Sequence, residues 1–168
     1  MKRFTEWLAE SNIVLYSITL SIIIYLIKGL VYVFKDIIEI QDIQFREELV
    51  NESFEVTINL IVNVLILAPL LETLVFQVLF FSVLKKFKIN KWIIVMISGL
   101  AFGAFHYYSV FYIIQTSLVG FIFMYMYILR AEVENKPFLS TVIAHSTVNL
   151  IVTIAVLITH FYKFGTWF

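Results

Sequence analysis

Glu72, His106 and His145 are residues of this chain whose types suit acid–base chemistry, and each lies in a long apolar stretch. An ionisable side chain at membrane depth costs several kcal/mol unless it is paired, hydrated or in use, so the three are candidates for function. Glu72 would serve as a general base or a metal ligand. Asn149 and Gln77 are strong hydrogen-bonding groups in the same kind of surroundings. His145 and Asn149 are four residues apart, as are Phe102 and His106, so in a helix each pair shares a face. Each residue also has a structural reading: a protonated Glu72 bonded to a carbonyl or hydroxyl, an end-of-helix His106 wet by headgroups, His145 and Asn149 as interhelical glue. A carboxylate, two imidazoles and an amide on three different helices, in a chain otherwise poor in such groups, make convergence on one site the economical reading. His160, beside Phe161 and Tyr162, needs no function at an interface.

The elements that must position these groups follow from composition. Apolar side chains make up 61% of 168 residues and charged ones 14%, with a mean hydropathy of +0.94. That is more apolar surface than a small soluble core can hide, which excludes a water-soluble globular domain. Twelve Lys plus Arg balance twelve Asp plus Glu, leaving no basic field for nucleic acid. The absence of cysteine excludes disulfides and thiolate chemistry. An all-α, polytopic helical membrane bundle remains, in a single integral membrane domain over 1–168.

Five transmembrane helices are expected. The first runs from about Ile13 to Phe34, broken only by Lys28, which would snorkel or face other helices. Glu6 and Glu10 and the lack of a small-residue cleavage site make it a helix of the mature protein rather than a signal peptide. An acidic, partly amphipathic connection follows from Asp36 to Glu55. The stretch from Val56 to Leu84 would be roughly 43 Å long as a straight helix, so tilt or a kink is implied. Pro69 supplies the kink by freeing the carbonyl of Leu65. Glu72 lies about 18 Å from the Leu84 end, close to mid-membrane. Trp92 to Leu129 must hold two spans, with the turn expected at Ser109 to Tyr112; Ser98, Gly99, Ala101, Gly103 and Ala104 make the first of them slim enough for close packing. Arg130 to Pro137 reads as a polar loop, and the fifth span runs from about Phe138 to Ile158. Lys2, Arg3, Lys85, Lys86, Lys88, Lys91, Arg130 and Lys136 fall on one side, which the positive-inside rule makes cytoplasmic together with the N-terminus. The compact, Ile-rich, cysteine-free composition leans towards a bacterial inner membrane.

The ordered set Pro69-Leu-Leu-Glu72-Thr73-x-x-x-Gln77, Phe102-x-x-x-His106 and His145-x-x-x-Asn149 resembles the CPBP family, also called Abi or CAAX-protease-like intramembrane endopeptidases. The family's motifs are Glu-Glu-x-x-x-Arg, Phe-x-x-x-His and His-x-x-x-Asn or Asp. The second and third are matched in full, whereas the first keeps Glu72 and has Thr73 and Gln77 where the family has Glu and Arg. The resemblance covers about Leu65 to Asn149 and implies a protease-like core over about 56–158. It implies that Glu72 and His106 activate water while His145 and Asn149 stabilise the oxyanion. Amide hydrolysis needs such a base, oxyanion donors and an acid for the leaving amine, which Glu72 would also supply. Thr73 and Gln77, four apart on one helix face, would hydrogen-bond to each other as structural support, alongside Phe102 and Pro69.

Glu72, His106 and His145 could instead hold zinc with water as the fourth ligand. Such a site usually wants a separate carboxylate base, and with Thr73 in the second-Glu position none is at hand, so metal-free glutamate chemistry without cofactor is preferred. A non-catalytic immunity or regulatory protein of the same fold is the alternative that the departures at Thr73 and Gln77 keep in play. A proton-coupled transporter fits poorly, because no internal repeat is visible. The expected partners are the lipid bilayer and a peptide or membrane-protein substrate, with the family precedent a prenylated C-terminal peptide; nucleic acid is excluded, and the oligomeric state is left open.

Overall fold

A computed structural model describes residues 3–38 and 61–164, and every regular element among them is helical. The helices are α1 (Phe4–Glu10), α2 (Ile13–Ile38), α3 (Asn63–Lys86), α4 (Lys91–Phe105), α5 (Val110–Glu132) and α6 (Pro137–Phe164). The sequence writes several of their starts. The Asn12 side chain accepts the Leu15 N–H at 2.9 Å, that of Asn90 accepts the Trp92 N–H at 2.9 Å, and the Ser109 hydroxyl accepts the Tyr112 N–H at 3.1 Å. Each bond satisfies a donor that a helix N-terminus would otherwise leave orphaned. Because Ser109 opens α5, the turn between α4 and α5 is His106–Ser109 and not the expected Ser109 to Tyr112. The acidic connection expected from Asp36 to Glu55 lies outside the described residues, apart from Asp36–Ile38, which end α2; the expected start at Val56 lies outside them too.

Four of the helices, α2, α3, α5 and α6, are long and apolar enough to cross a membrane. The remaining expected span, α4, has only 15 residues and is about 22 Å long, short of a hydrocarbon core of about 30 Å. Its shortness has a use. Both α3 and α4 meet the lysine-rich loop at one end, and Glu72 lies about 21 Å up α3 from Lys86. The end of α4 at His106 is therefore level with Glu72.

The most extensive helix pairing is between α4 and α5, followed by α2 with α6. Glycines bring α4 and α5 together: a Cβ on Gly120 would stand 2.9 Å from the Gly99 Cα, and one on Gly103 would stand 2.7 Å from the Ile113 carbonyl oxygen. On the other side, Ser21 and Tyr25 of α2 donate to the α6 carbonyls of Ala144 at 3.5 Å and Val148 at 2.7 Å, so these two helices run parallel. Between them lies a core of Tyr16, Leu20, Ile24, Val119, Phe123, Ala144 and Val148. Side chains such as Leu26, Leu71, Leu100 and Phe105 face outwards, as a lipid-exposed surface requires.

Arg130 corrects the expected loop. It belongs to the last turn of α5 and its side chain is fully buried. Nε donates to the Asn135 carbonyl at 2.8 Å and Nη1 to the Ser11 carbonyl at 3.1 Å, while the guanidinium lies 4.4 Å over the Tyr16 ring. Asn135 Nδ2 donates to the carbonyls of Ala9 and Ser11. A planar cation with several donors suits this role, since it caps the end of α1 and the end of α5 at once and stacks on a ring. The chain corner between α1 and α2 is thereby tied to the corner between α5 and α6.

Candidate active site

The structure brings Glu72, His106 and His145 together from α3, the end of α4 and α6. Both imidazoles present Nε2 to the same carboxylate oxygen, Glu72 Oε2, at 3.9 Å from His106 and 3.6 Å from His145. These separations exceed a direct hydrogen bond and suit a small group held between the three. Glu72 and His106 each keep 18% of the side chain exposed and His145 only 7%, while the Glu72 Oε2 atom that both histidines face is buried.

Local helix geometry explains how Glu72 is presented. It closes a short α-helical stretch, Ala68–Glu72, set between two π-helical segments, Asn63–Leu67 and Thr73–Leu79. Wide turns of this kind are frequent at functional sites, because they re-aim side chains within a continuous helix. They also relocate the effect of Pro69. In the first segment the Ala68 N–H donates to the Asn63 carbonyl, a five-residue step. By the same step the Val64 carbonyl would look to Pro69, which has no N–H. The freed carbonyl is thus that of Val64 rather than Leu65, and Asn149 Nδ2 donates to it at 2.9 Å. The third motif is tied to α3 there, one turn along α6 from His145.

Phe102 holds both histidines. Its carbonyl lies 2.7 Å from His106 Nδ1; since a carbonyl only accepts, Nδ1 carries the proton and a neutral His106 turns an acceptor Nε2 towards Glu72. The Phe102 ring packs 4.7 Å from the His106 ring and 5.9 Å from that of His145, centroid to centroid. Phe123 of α5 lies 4.9 Å from His145 and 6.4 Å from Phe102, so the three rings form one cluster. Phe76 meets the Phe102 ring edge-on at 5.3 Å, and the Ser98 hydroxyl donates to the Phe76 carbonyl across α3 and α4. Phe123 and Tyr112, whose ring lies 6.0 Å from that of His106, belong to this neighbourhood and were not singled out from the sequence as site residues. Their signal is tertiary: Phe123 is one of seventeen phenylalanines, and only the fold sets it against His145.

Thr73 and Gln77 are fully buried on the inner side of α3. The expected hydrogen bond between them is not formed: the Thr73 hydroxyl and both amide atoms of Gln77 have no hydrogen-bond partner among the described residues. They occupy the first and fifth positions of the second π-helical segment. A turn widened to a five-residue repeat rotates residues four apart out of register, and the pairing that an α-helix would offer is lost.

Among the described residues no group of three or more His, Cys, Asp or Glu is arranged to hold a metal ion. His145 Nδ1 is buried and has no hydrogen-bond partner among the described residues.

No curated protein and no solved structure matches the chain. The family model described as type II CAAX prenyl endopeptidase Rce1-like matches residues 54–151. Those residues run from before Pro69 to just past Asn149 and take in every group of the site. With more than half of its length matched, the chain belongs to the type II CAAX prenyl endopeptidase Rce1-like family.

Proposed function

We propose that the chain is an intramembrane endopeptidase that cleaves a peptide bond with water activated by Glu72, without a metal or other cofactor. The approach of both histidine Nε2 atoms to Glu72 Oε2, at 3.6 and 3.9 Å, carries this reading. A water seated against Glu72 and His106 would donate one hydrogen to the carboxylate and the other to Nε2 of His106. Its oxygen lone pairs would then face the scissile carbonyl. As the oxygen attacks, Glu72 takes the proton, and on collapse of the tetrahedral intermediate it returns that proton to the leaving amine. His145 Nε2–H and the second amide hydrogen of Asn149 would donate to the oxyanion, where fixed donors in a dry site stabilise developing charge most strongly. The family's name makes a prenylated C-terminal peptide the first substrate to try, and a peptide or membrane-protein tail within the bilayer the class.

The test uses the full chain in lipid nanodiscs and a peptide library read by mass spectrometry. Cleavage is expected to persist with a strong zinc chelator present. One zinc per chain by elemental analysis, lost in His145→Ala together with activity, would replace this mechanism with a metal-dependent one.

For location, we propose a bacterial inner membrane with the N-terminus and the Lys85 to Lys91 loop in the cytoplasm, on the strength of the lysine and arginine bias. The chain has no native cysteine, which makes labelling simple. A single cysteine at Ser53 should react with an impermeant maleimide from outside the cell; reaction only after lysis would reverse the orientation.

A further inference from the structure

We propose that Lys28 of α2 is a specificity residue that pairs with the free C-terminal carboxylate of the substrate, and the inference rests on the peptidase reading given above. Lys28 lies outside residues 54–151, on a helix that contributes no other charged side chain to the site. The stripe of α2 that holds α6 runs through Ser21 and Tyr25, whose hydroxyls donate to the Ala144 and Val148 carbonyls on either side of His145. Lys28 continues that stripe by one further turn. Its ammonium does not reach out to the nearer helix end, as a snorkelling lysine would. It turns back over the Tyr25 ring, 5.9 Å from the centroid, and that tyrosine is bonded to the Val148 carbonyl between His145 and Asn149.

Among the described residues no carboxylate lies within ion-pair distance of this ammonium; the described lysine–carboxylate pair links Lys91 with Glu132. A cation at membrane depth whose described partner is one ring is expensive to keep and marks a pathway or a ligand. The bound group must be anionic and must arrive within reach of Glu72. A peptide cut close to its C-terminus brings such a group, since its terminal carboxylate is the one charge an otherwise apolar tail cannot lose. Pairing with Lys28 would set how many residues separate the scissile bond from the terminus. The product on that side would be a short peptide.

The experiment uses dansylated libraries of apolar hexapeptides made once with a free C-terminal carboxylate and once as the C-terminal amide, with the full chain in nanodiscs. Cleavage is followed with wild type, Lys28→Met and Lys28→Arg, and binding is followed by fluorescence anisotropy in the Glu72→Gln background. Wild type is expected to favour the carboxylate library by about tenfold or more in both readouts, as a charge-assisted pair would. Lys28→Met should cut the carboxylate library to the level of the amide library and leave the amide signal unchanged, while Lys28→Arg keeps the preference. A preference that survives Lys28→Met, or an equal loss on both libraries, would overturn the proposal and leave the peptidase reading intact. Carboxylate-selective, Lys28-dependent binding without cleavage by wild type would support the site and defeat the peptidase reading. Absence of both binding and cleavage overturns both.

Discussion

Glu72→Gln is expected to lower peptide cleavage by at least roughly 10²- to 10⁴-fold, the range that a positioned general base contributes. The chain should fold as well as wild type in detergent or nanodiscs. Glutamine keeps the size of glutamate and can still touch whatever lies between the two histidines, so packing is preserved. It cannot take a proton from water or return one to the amine. In this mechanism His106 orients the water through Nε2 without taking its proton, and His145 is packed against Phe102 and Phe123. The measurement is the initial rate on a cleaved peptide, read beside the thermal melt of each protein. A rate within tenfold of wild type at an unchanged melting temperature would remove Glu72 from the chemistry.

The residues of the site were legible because membrane depth makes polar groups rare. In a soluble protein a Glu, two His and an Asn would be lost among many; here each stood out against apolar neighbours, and helical spacing tied His106 to Phe102 and Asn149 to His145. Helix existence was legible for the same reason, since long apolar runs leave little choice of structure. What could not be read depended on register and on partners from elsewhere in the chain. The π-helical turns around Glu72 shift the freed carbonyl from Leu65 to Val64 and separate Thr73 from Gln77. No residue type specifies such turns, because each depends on how the whole helix packs. Arg130 looked like a loop charge by its neighbours Glu132, Glu134 and Lys136. Only the folded chain shows that carbonyls of Ser11 and Asn135 and the Tyr16 ring enclose it.

The length of α4 has the same lesson for function, since it puts His106 level with Glu72 only if α4 is seated tightly on α5. Gly103 is the residue that sets this seat nearest to the site. A Cβ there would stand 2.7 Å from the Ile113 carbonyl oxygen and would also overlap the Ser117 side chain. The serine could rotate; the carbonyl belongs to the α5 backbone and cannot. Gly103→Ala must therefore push α4 away from α5, and His106 follows three residues later at the helix end, where its backbone N–H is bonded to the Gly103 carbonyl at 2.9 Å. Overpacking of this kind costs about 1–3 kcal/mol of stability. A displacement near 1 Å in a catalytic group can cost on the order of 10²-fold in rate. Cleavage is thus expected to fall by about that factor with a modest loss in melting temperature, and Gly103→Ala with Ser117→Gly should recover part of the stability but little of the rate, because the Ile113 carbonyl remains. Gly29 of α2 provides the contrast. Nothing lies within 4 Å of a Cβ placed there, so Gly29→Ala should raise helix stability by up to about 1 kcal/mol through propensity alone and leave the rate unchanged. If Gly103→Ala melts and cleaves like wild type, the seat of α4 on α5 does not position His106, and the level match between the end of α4 and Glu72 is then held by the π-helical geometry of α3 instead.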